Sequence, residues 1–225
     1  MIHMTRIFVL NPNSSLQTTQ AMEAGARGVI ERLPGVTVEF DTLAEGPAAI
    51  ETQADVEQAA FPVLARLRNR QADASVIGCF SDPGLHLCRS ELGHPVIGIG
   101  EAAYAQAVGF GVPFGIVSIV QASLGRHLRQ VRSLGYKDFL AGDRSLDLGV
   151  AGLADPDRAM TRLIEVGSAL RDRDGAQVLI LGCASMGVYR PAVEAELGLP
   201  VIDPVQAAIV RAHALLVLGY PGQIT

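Results

Sequence analysis

Short, almost wholly apolar runs recur along this 225-residue chain, and a longer stretch with helical periodicity follows most of them. Residues 6–10, 74–78 and 177–181 are examples of the short runs. A strand that is apolar on both faces is typical of a parallel sheet with helices on each side. Strands that alternate with helices imply βαβ units. The sequence therefore predicts an α/β protein with mostly parallel sheets.

The boundaries of the predicted elements follow from prolines, glycines and the ends of the apolar runs. Strands are expected at residues 6–10, 36–40, 74–78, 96–99, 115–119, 136–140, 177–181 and 201–202. Helices are expected at residues 16–33, 51–70, 83–92, 121–133, 155–171, 191–197 and 204–218, with an interruption or bend near Pro62.

The second half of the chain repeats features of the first. An apolar run ends in Gly-Cys at Cys79 and again at Cys183, with Ser two residues later in both copies. Residues 92–97 (LGHPVI) also match residues 197–202 (LGLPVI). The repeat predicts two pseudo-symmetric, Rossmann-like lobes that face each other. Residues 1–98 with 204–225 would form the first lobe and residues 99–203 the second, because the second repeat ends before the chain does.

Polar clusters follow four of the predicted strands, two in each lobe. Ligands of open parallel sheets bind outside the carboxyl ends of the strands, so the clusters predict one cleft between the lobes. The candidate substrate-binding residues are Asn13, Ser14, Phe80, Ser81, Ser118, Ile119, Ala184 and Ser185. Helix capping is the alternative role for the serines at 14, 15, 81 and 185, and Asp82 before Pro83 is interpreted as a helix-start residue.

Cys79 and Cys183 are the candidate catalytic residues. Each is predicted to lie where a strand ends and a helix is about to begin, where backbone N–H groups and the helix dipole favour a thiolate. Two thiols that face one cleft could remove a proton from one side of a carbon and return it from the other, which is the chemistry of a cofactor-independent racemase. The alternative is that both are buried core residues, as cysteines often are and as Cys88 is interpreted here.

Several classes of protein are disfavoured by composition. The net charge is −5 without a run of Lys or Arg, so no nucleic-acid partner is expected. The chain shows neither a signal peptide nor an apolar stretch of membrane-spanning length, which predicts a cytoplasmic protein without a membrane partner. The histidines lack metal-ligand spacing and Gly98-Ile99-Gly100 is no dinucleotide fingerprint, so neither a metal nor NAD is expected. Arg126, Arg129 and Arg132 are interpreted as a solvated helix face.

These motifs resemble those of the aspartate/glutamate/hydantoin racemase family, and most of all its hydantoin and allantoin racemase branch. The resemblance rests on Asn-Pro-Asn-Ser-Ser at 11–15, Cys-Phe-Ser-Asp-Pro-Gly-Leu at 79–85, Leu-Gly-Cys at 181–183 and Pro-Val-Ile-Asp at 200–203. It implies two α/β lobes, a proton shuttle between Cys79 and Cys183, no cofactor, a small-molecule substrate and a homo-oligomer. It also implies that Asn13, Ser81, Ser118 and the segment after Cys183 line the substrate cleft.

Departures from the family pattern bear on the substrate. Glutamate racemases carry an acidic residue and Ser after the first strand and Thr-His after the second cysteine. Here Asn-Pro-Asn and Ala184-Ser185 stand at those places, which disfavours an acidic amino acid. The expected function is racemisation of 5-substituted hydantoins, with allantoin as a candidate. The alternatives are an amino-acid racemase, a maleate isomerase or arylmalonate decarboxylase, and, outside this class, a non-catalytic two-lobed binder.

Overall fold

Two four-stranded parallel sheets organise residues 4–220, which are the residues that this computed structural model describes. The first sheet has the order β2-β1-β3-β4 and the second the order β6-β5-β7-β8. The strands of the first sheet are β1 (Thr5–Asn11), β2 (Val36–Thr42), β3 (Ala74–Ile77) and β4 (Val96–Gly98). Those of the second sheet are β5 (Phe114–Ser118), β6 (Leu140–Ser145), β7 (Val178–Leu181) and β8 (Val201–Ile202). The matching orders confirm the predicted fold of two pseudo-symmetric lobes.

Eight α-helices cover the sheets within the described residues. They are α1 (Leu16–Ile30), α2 (Gln53–Arg68), α3 (Leu85–Glu91), α4 (Ile99–Val108), α5 (Gln121–Ser133), α6 (Pro156–Asp172), α7 (Arg190–Leu197) and α8 (Pro204–Val217). The strands β3, β5 and β7 are buried along their whole length, which is why they read as unbroken apolar runs. No helix in residues 4–220 has the length and apolar character needed to span a bilayer.

A shared core joins the lobes through α4 and α8. It includes Val9 and Val76 of the first sheet, Ile116 and Ile180 of the second, and Tyr104 of α4. The last helix, α8, contacts α1, β1, β3 and β4, so it packs on the first sheet as well as on α4. The predicted lobe limits of 1–98 with 204–225 and of 99–203 remain a prediction, and residues 1–3 and 221–225 lie outside the described residues.

The structure corrects two predicted elements. The strand expected at 136–140 is wrong: Lys137–Phe139 form a 3₁₀ turn and β6 begins at Leu140. β6 is a half-buried edge strand with the polar sequence LAGDRS, so it lacks the apolar run used to find strands. The interruption expected at Pro62 is also wrong, because α2 continues through this residue, whereas the alternative of a bend there stays a prediction. Burial of Val63, Leu64 and Leu67 in the first lobe's core compensates for the hydrogen bond that proline cannot donate.

Two buried carboxylates hold the N-termini of α4 and α8. Asp82 accepts hydrogen bonds from the N–H groups of Gly100 and Glu101 at 2.9 and 2.8 Å, and Asp203 accepts one from the N–H of Val205 at 2.8 Å. Asp82 therefore caps α4, and its interpretation as a start residue for the helix that follows it is wrong. Its φ of +47° and that of Gly84, +72°, delay α3 to Leu85. Burial raises the pKa of Asp82 to about 7 and that of Asp203 to about 6.

The raised pKa of Asp203 predicts that Asp203→Asn stabilises the protein at neutral pH. The unfolded-state pKa lies near 3.8, so the folded state gains stability from the protonated carboxyl below pH 4 and loses it as the pH rises to about 6. Asparagine keeps the Oδ1 acceptor and removes the buried charge at Oδ2, which has no hydrogen-bond partner among the described residues. The free energy of unfolding, measured in urea, should be compared between the variant and wild type at two pH values. The difference in favour of the variant should be larger at pH 7.5 than at pH 4, by up to about 3 kcal/mol. Parallel pH profiles for the two proteins would contradict this.

Candidate active site

A cavity that opens to solvent lies between the carboxyl ends of the two sheets, and its interior together with the open space at its mouth measures about 470 Å³. Cys79 reaches it from the segment after β3 and Cys183 from the segment after β7, and these strands hold the same position in their sheets. Asn13, Phe80, Ser81, Ile119 and Ala184 also line it. The structure thus brings both cysteines and five of the eight candidate substrate-binding residues to one cavity.

The other three candidates have protein partners and lie outside the cavity lining. The Ser14 hydroxyl donates to the carbonyl of Pro47 at 3.4 Å. Ser118 is fully buried and bonds to His127 and Asp143. Ser185 lies behind Cys183, with its Oγ 3.4 Å from the cysteine Sγ.

The loop after β1 presents Asn13 to the cavity. The side-chain oxygen of Asn13 accepts hydrogen bonds from the Asn11 amide and the Ser15 N–H, both at 2.9 Å. This leaves the amide NH₂ of Asn13 as the donor available to a ligand. Ser15 accepts a hydrogen bond from the N–H of Thr18, which confirms its role as the N-cap of α1.

Burial dominates the electrostatics of both thiols. It raises the pKa of Cys79 to about 12, against a smaller lowering by the N–H of Ser81, and it also raises the pKa of Cys183. The prediction that strand-end positions lower both pKa values is therefore wrong. Cys79 also lacks the expected helix, because α3 begins only at Leu85, whereas Cys183 directly precedes a 3₁₀ helix at Ala184–Tyr189.

The two thiols differ in the donors that would stabilise a negative charge. Cys183 has the hydroxyl and N–H of Ser185 and the N–H of Ala184, all of which lower its pKa. Cys79 has the N–H of Ser81 and the more distant charge of Arg126. A charge on Cys183 further raises the pKa of Cys79. Of the two thiols, Cys183 therefore has more donors to stabilise a thiolate.

We expect Ser185→Ala to raise the pKa of Cys183 and to slow thiolate-dependent chemistry. A hydrogen bond to a charged group contributes about 1.5–3 kcal/mol, so kcat/KM near pH 8 should fall about 10-fold or more and its rise with pH should shift to higher pH. Ser123→Ala is the matched control, because that cavity-lining hydroxyl donates to the Val120 carbonyl at 2.7 Å and not to a thiol. Equal profiles for the two variants would show that the Ser185 hydroxyl does not act on Cys183.

Three charged or titratable residues of the cavity were missed from the sequence. Arg126 was expected in solvent, but it is 8 % exposed, and its Nε donates to the Ser81 hydroxyl at 2.9 Å. His127 and Glu51 line the cavity beside it. The spacing of Ser123, Arg126 and His127 on one face of α5 could have indicated an inward polar stripe. Glu51 lies in the connection between β2 and α2, and no local pattern marks it.

Glu51 also connects the two lobes across the cavity. Its Oε1 accepts a hydrogen bond from the N–H of Val150 at 2.8 Å, and its carbonyl oxygen lies 3.4 Å from a guanidinium nitrogen of Arg126. Its carboxylate raises the pKa of Cys183. Among residues 4–220, no group of three or more His, Cys, Asp and Glu side chains is arranged to hold a metal ion.

The profile of a family described as Asp/Glu/Hydantoin racemase matches residues 7–212. The chain belongs to this family. Hydantoin racemases of Paenarthrobacter aurescens and Rhizobium meliloti are 36 % and 35 % identical to it, over 96 % and 95 % of this chain and 92 % and 90 % of theirs. The structure of an allantoin racemase from Klebsiella pneumoniae superposes with a TM-score of 0.89 at 33 % identity, over 96 % of this chain and 89 % of that one.

Membership confirms the isomerase class that the sequence predicted, and the chain is a racemase of the hydantoin and allantoin racemase type. In this chain the segments after β3 and β7, one from each sheet, line one cavity.

Proposed function

We propose that this racemase inverts C5 of 5-substituted hydantoins, the class to which allantoin belongs, with Cys79 and Cys183 as its two acid–base groups. The observation that carries the proposal is that the two thiols line one cavity from opposite sheets. A ring held between them would present one face of C5 to each sulfur. Neither thiol is part of a disulfide, so both are available for proton transfer.

The proposed reaction moves one proton off C5 and another onto it. The thiolate takes the C5 proton, and the electron pair of the broken C–H bond moves into the adjacent C4 carbonyl to form an enolate. The opposite thiol then protonates C5 from the other face and becomes the thiolate. The reaction in the reverse direction starts from that state, so the pair needs one negative charge in total. The interaction in which a charged Cys183 raises the pKa of Cys79 supports this single-charge state.

The remaining cavity residues support a largely neutral ring as substrate. Ile50, Ile119 and Val150 supply apolar surface for a 5-substituent, and the Asn13 amide can donate to a ring carbonyl. An acidic amino acid would need cationic partners for two carboxylates. The Arg126 guanidinium is the cation of the lining, and it already donates to Ser81. This arrangement favours hydantoins over aspartate or glutamate.

A substrate panel followed by circular dichroism or polarimetry tests this proposal. We expect the optical signals of both 5-benzylhydantoin enantiomers and of allantoin to decay to zero, and those of L-aspartate and L-glutamate to persist. If the enzyme racemised the amino acids but not the hydantoins, it would be an amino-acid racemase and the proposed substrate would be wrong. Thermal stabilisation by a hydantoin without any turnover would identify a binding protein instead.

We also infer that the racemase is a homo-oligomer. Four large apolar side chains in α8 and the residues after it are between 45 % and 70 % exposed: Val210, Val217, Leu218 and Tyr220. A second copy of the chain would cover such a surface. Light scattering coupled to size-exclusion chromatography should give a mass above 23.7 kDa, and Leu218→Lys should lower it. A monomer mass for the wild type would refute this inference.

A further inference from the structure

A buried hydrogen-bonded cluster lies beside the cavity, and the two-thiol reaction does not use it. It consists of Ser118 at the end of β5, His127 of α5 and Asp143 of β6. The His127 Nδ1 lies 3.0 Å from Asp143 Oδ2 and 3.0 Å from Ser118 Oγ, and the Ser118 hydroxyl donates to Asp143 Oδ1. His127 and Ser118 are 2 % and 0 % exposed.

The cluster determines which nitrogen of His127 carries a proton. An ionised carboxylate only accepts hydrogen bonds, and the one hydroxyl proton of Ser118 is directed at it. The contact between Nδ1 and Asp143 therefore requires a proton on Nδ1. In the neutral imidazole this leaves Nε2 with a lone pair, as an acceptor.

The geometry is not that of a nucleophilic triad. In such a triad the serine contacts one ring nitrogen and the carboxylate the other. Here Ser118 and Asp143 both contact Nδ1, and Ser118 lies outside the cavity lining. The cluster is built to hold the ring and leaves Nε2 unused.

The side chain of His127 borders the cavity. His127 lines it together with both cysteines, and its ring stands edge-on to that of Phe80, with centroids 5.0 Å apart and an angle of 89°. Nε2 makes no hydrogen bond to the described residues, and it is not among their fully occluded unpaired polar atoms, which are Tyr104 Oη, Asp203 Oδ2 and His213 Nδ1. A buried ring with a fixed tautomer thus keeps one unpaired acceptor, not fully occluded, at the border of the cavity.

We propose that His127 Nε2 accepts a hydrogen bond from a ring N–H of the substrate and so orients the ring between the two thiols. The inference rests on the proposed hydantoin racemase function. The hydantoin ring carries two such N–H groups. His127 would be the residue that contacts substrate, and Asp143 and Ser118 would be positioning residues that fix its tautomer and orientation. The class of substrate recognised is a cyclic ureide with a free ring N–H.

Methylated substrates and two isosteric variants test the proposal. The amide nitrogen of asparagine can replace Nδ1 and keep the bond to Asp143, but His127→Asn has no atom at the ε position. The longer His127→Gln can place its amide oxygen near the ε position and retain an acceptor there. The substrates are 5-benzylhydantoin and its N1-methyl and N3-methyl derivatives, with racemisation followed by circular dichroism.

We expect wild type to discriminate at least about 10-fold against one of the methylated hydantoins, because a lost hydrogen bond to a buried acceptor has about this effect. The His127→Asn variant should lose at least that factor in kcat/KM for the unmethylated substrate. Its discrimination ratio should approach 1, and His127→Gln should restore part of both. Loss of the same factor on all three substrates, or no discrimination by wild type, would overturn the proposal. Absence of turnover by wild type would instead refute the hydantoin racemase function.

A measurement on the wild-type protein covers the case in which the variants do not fold. Nitrogen NMR of the histidine side chains should show the Nε2 signal of His127 moving when 5-benzylhydantoin is added, in the direction of a nitrogen that accepts a hydrogen bond. The methylated derivative that is a poor substrate should leave it unchanged. The signals of His86 and His94, which lie outside the cavity lining, serve as internal controls. An Nε2 chemical shift of His127 that stays the same with 5-benzylhydantoin and with its methylated derivative would overturn the proposal.

Discussion

We expect Cys79→Ala and Cys183→Ala each to reduce the racemisation rate of a 5-substituted hydantoin, the proposed substrate, by about 10³-fold or more. General acid–base groups typically contribute 10²–10⁴-fold each, and inversion needs both in the same turnover. The effects should not multiply in the double variant, because the loss of either thiol already prevents inversion. The measurement is the decay of optical activity for each enantiomer at pH 8.

Cys88→Ala is the matched control for the loss of a thiol. Cys88 is fully buried in the core of the first lobe, with Leu64 and Leu85, and lies outside the cavity lining. Its replacement should lower the melting temperature by a few degrees and leave kcat within about 2-fold of wild type, since it leaves only a small cavity. Full activity in both Cys79→Ala and Cys183→Ala would exclude the two-thiol reaction.

Deuterium incorporation separates a two-thiol reaction from one in which a single base serves both faces. In D₂O each thiol exchanges its proton with solvent before it reacts. The thiol that delivers to C5 is then deuterated, so early product carries deuterium at C5 while the remaining starting enantiomer keeps its hydrogen. A single base would deuterate both enantiomers from the start. NMR of C5 combined with chiral chromatography measures the two pools.

The sequence predicted the architecture through features that are local or repeated. The runs at β3 and β7 are buried on both faces, and the Gly-Cys repeat placed one cysteine after each of them. Both features can be recognised from short segments of the sequence. The strand β6 was misplaced because an edge strand is half exposed and its residues Ala141–Ser145 are mostly small or polar.

The chemical environment of the site could not be predicted in the same way, because it depends on contacts between distant segments. Glu51 meets Val150 across 99 residues, and Arg126 meets Ser81 across 45. The pKa of Cys79 shows the same limit. A strand-end position suggested a lowered value, but burial between the two lobes is the larger effect and raises it to about 12. Burial of this kind is a property of the assembled fold, and it cannot be predicted from the short sequence motif around Cys79.

Gly98→Ala should destabilise the protein by more than about 3 kcal/mol, the range reached when a buried group must be displaced. A Cβ atom at Gly98 would lie 2.3 Å from Cγ of Asp82 and 2.4 Å from its Oδ1. The Asp82 carboxylate has little freedom to move, because it accepts hydrogen bonds from the N–H groups of Gly100 and Glu101 and from the Gln130 amide. Displacing it would leave three donors unpaired and shift the segment that carries Cys79. For a chain of this size the melting temperature should fall by about 6–12 °C.

Two further variants show whether the clash with Asp82 is the cause of this loss. Gly93→Ala is the control, because no atom lies within 4 Å of the added Cβ at this exposed position, and its melting temperature should stay within about 2 °C of wild type. In an Asp82→Ala background, Gly98→Ala should cost far less than in wild type, since the group it would strike is gone. The resulting coupling energy should reach about 2–3 kcal/mol, as for residues in direct contact. Additive effects of the two substitutions would mean that Gly98 is required for a reason other than the space that it leaves for the Asp82 carboxylate.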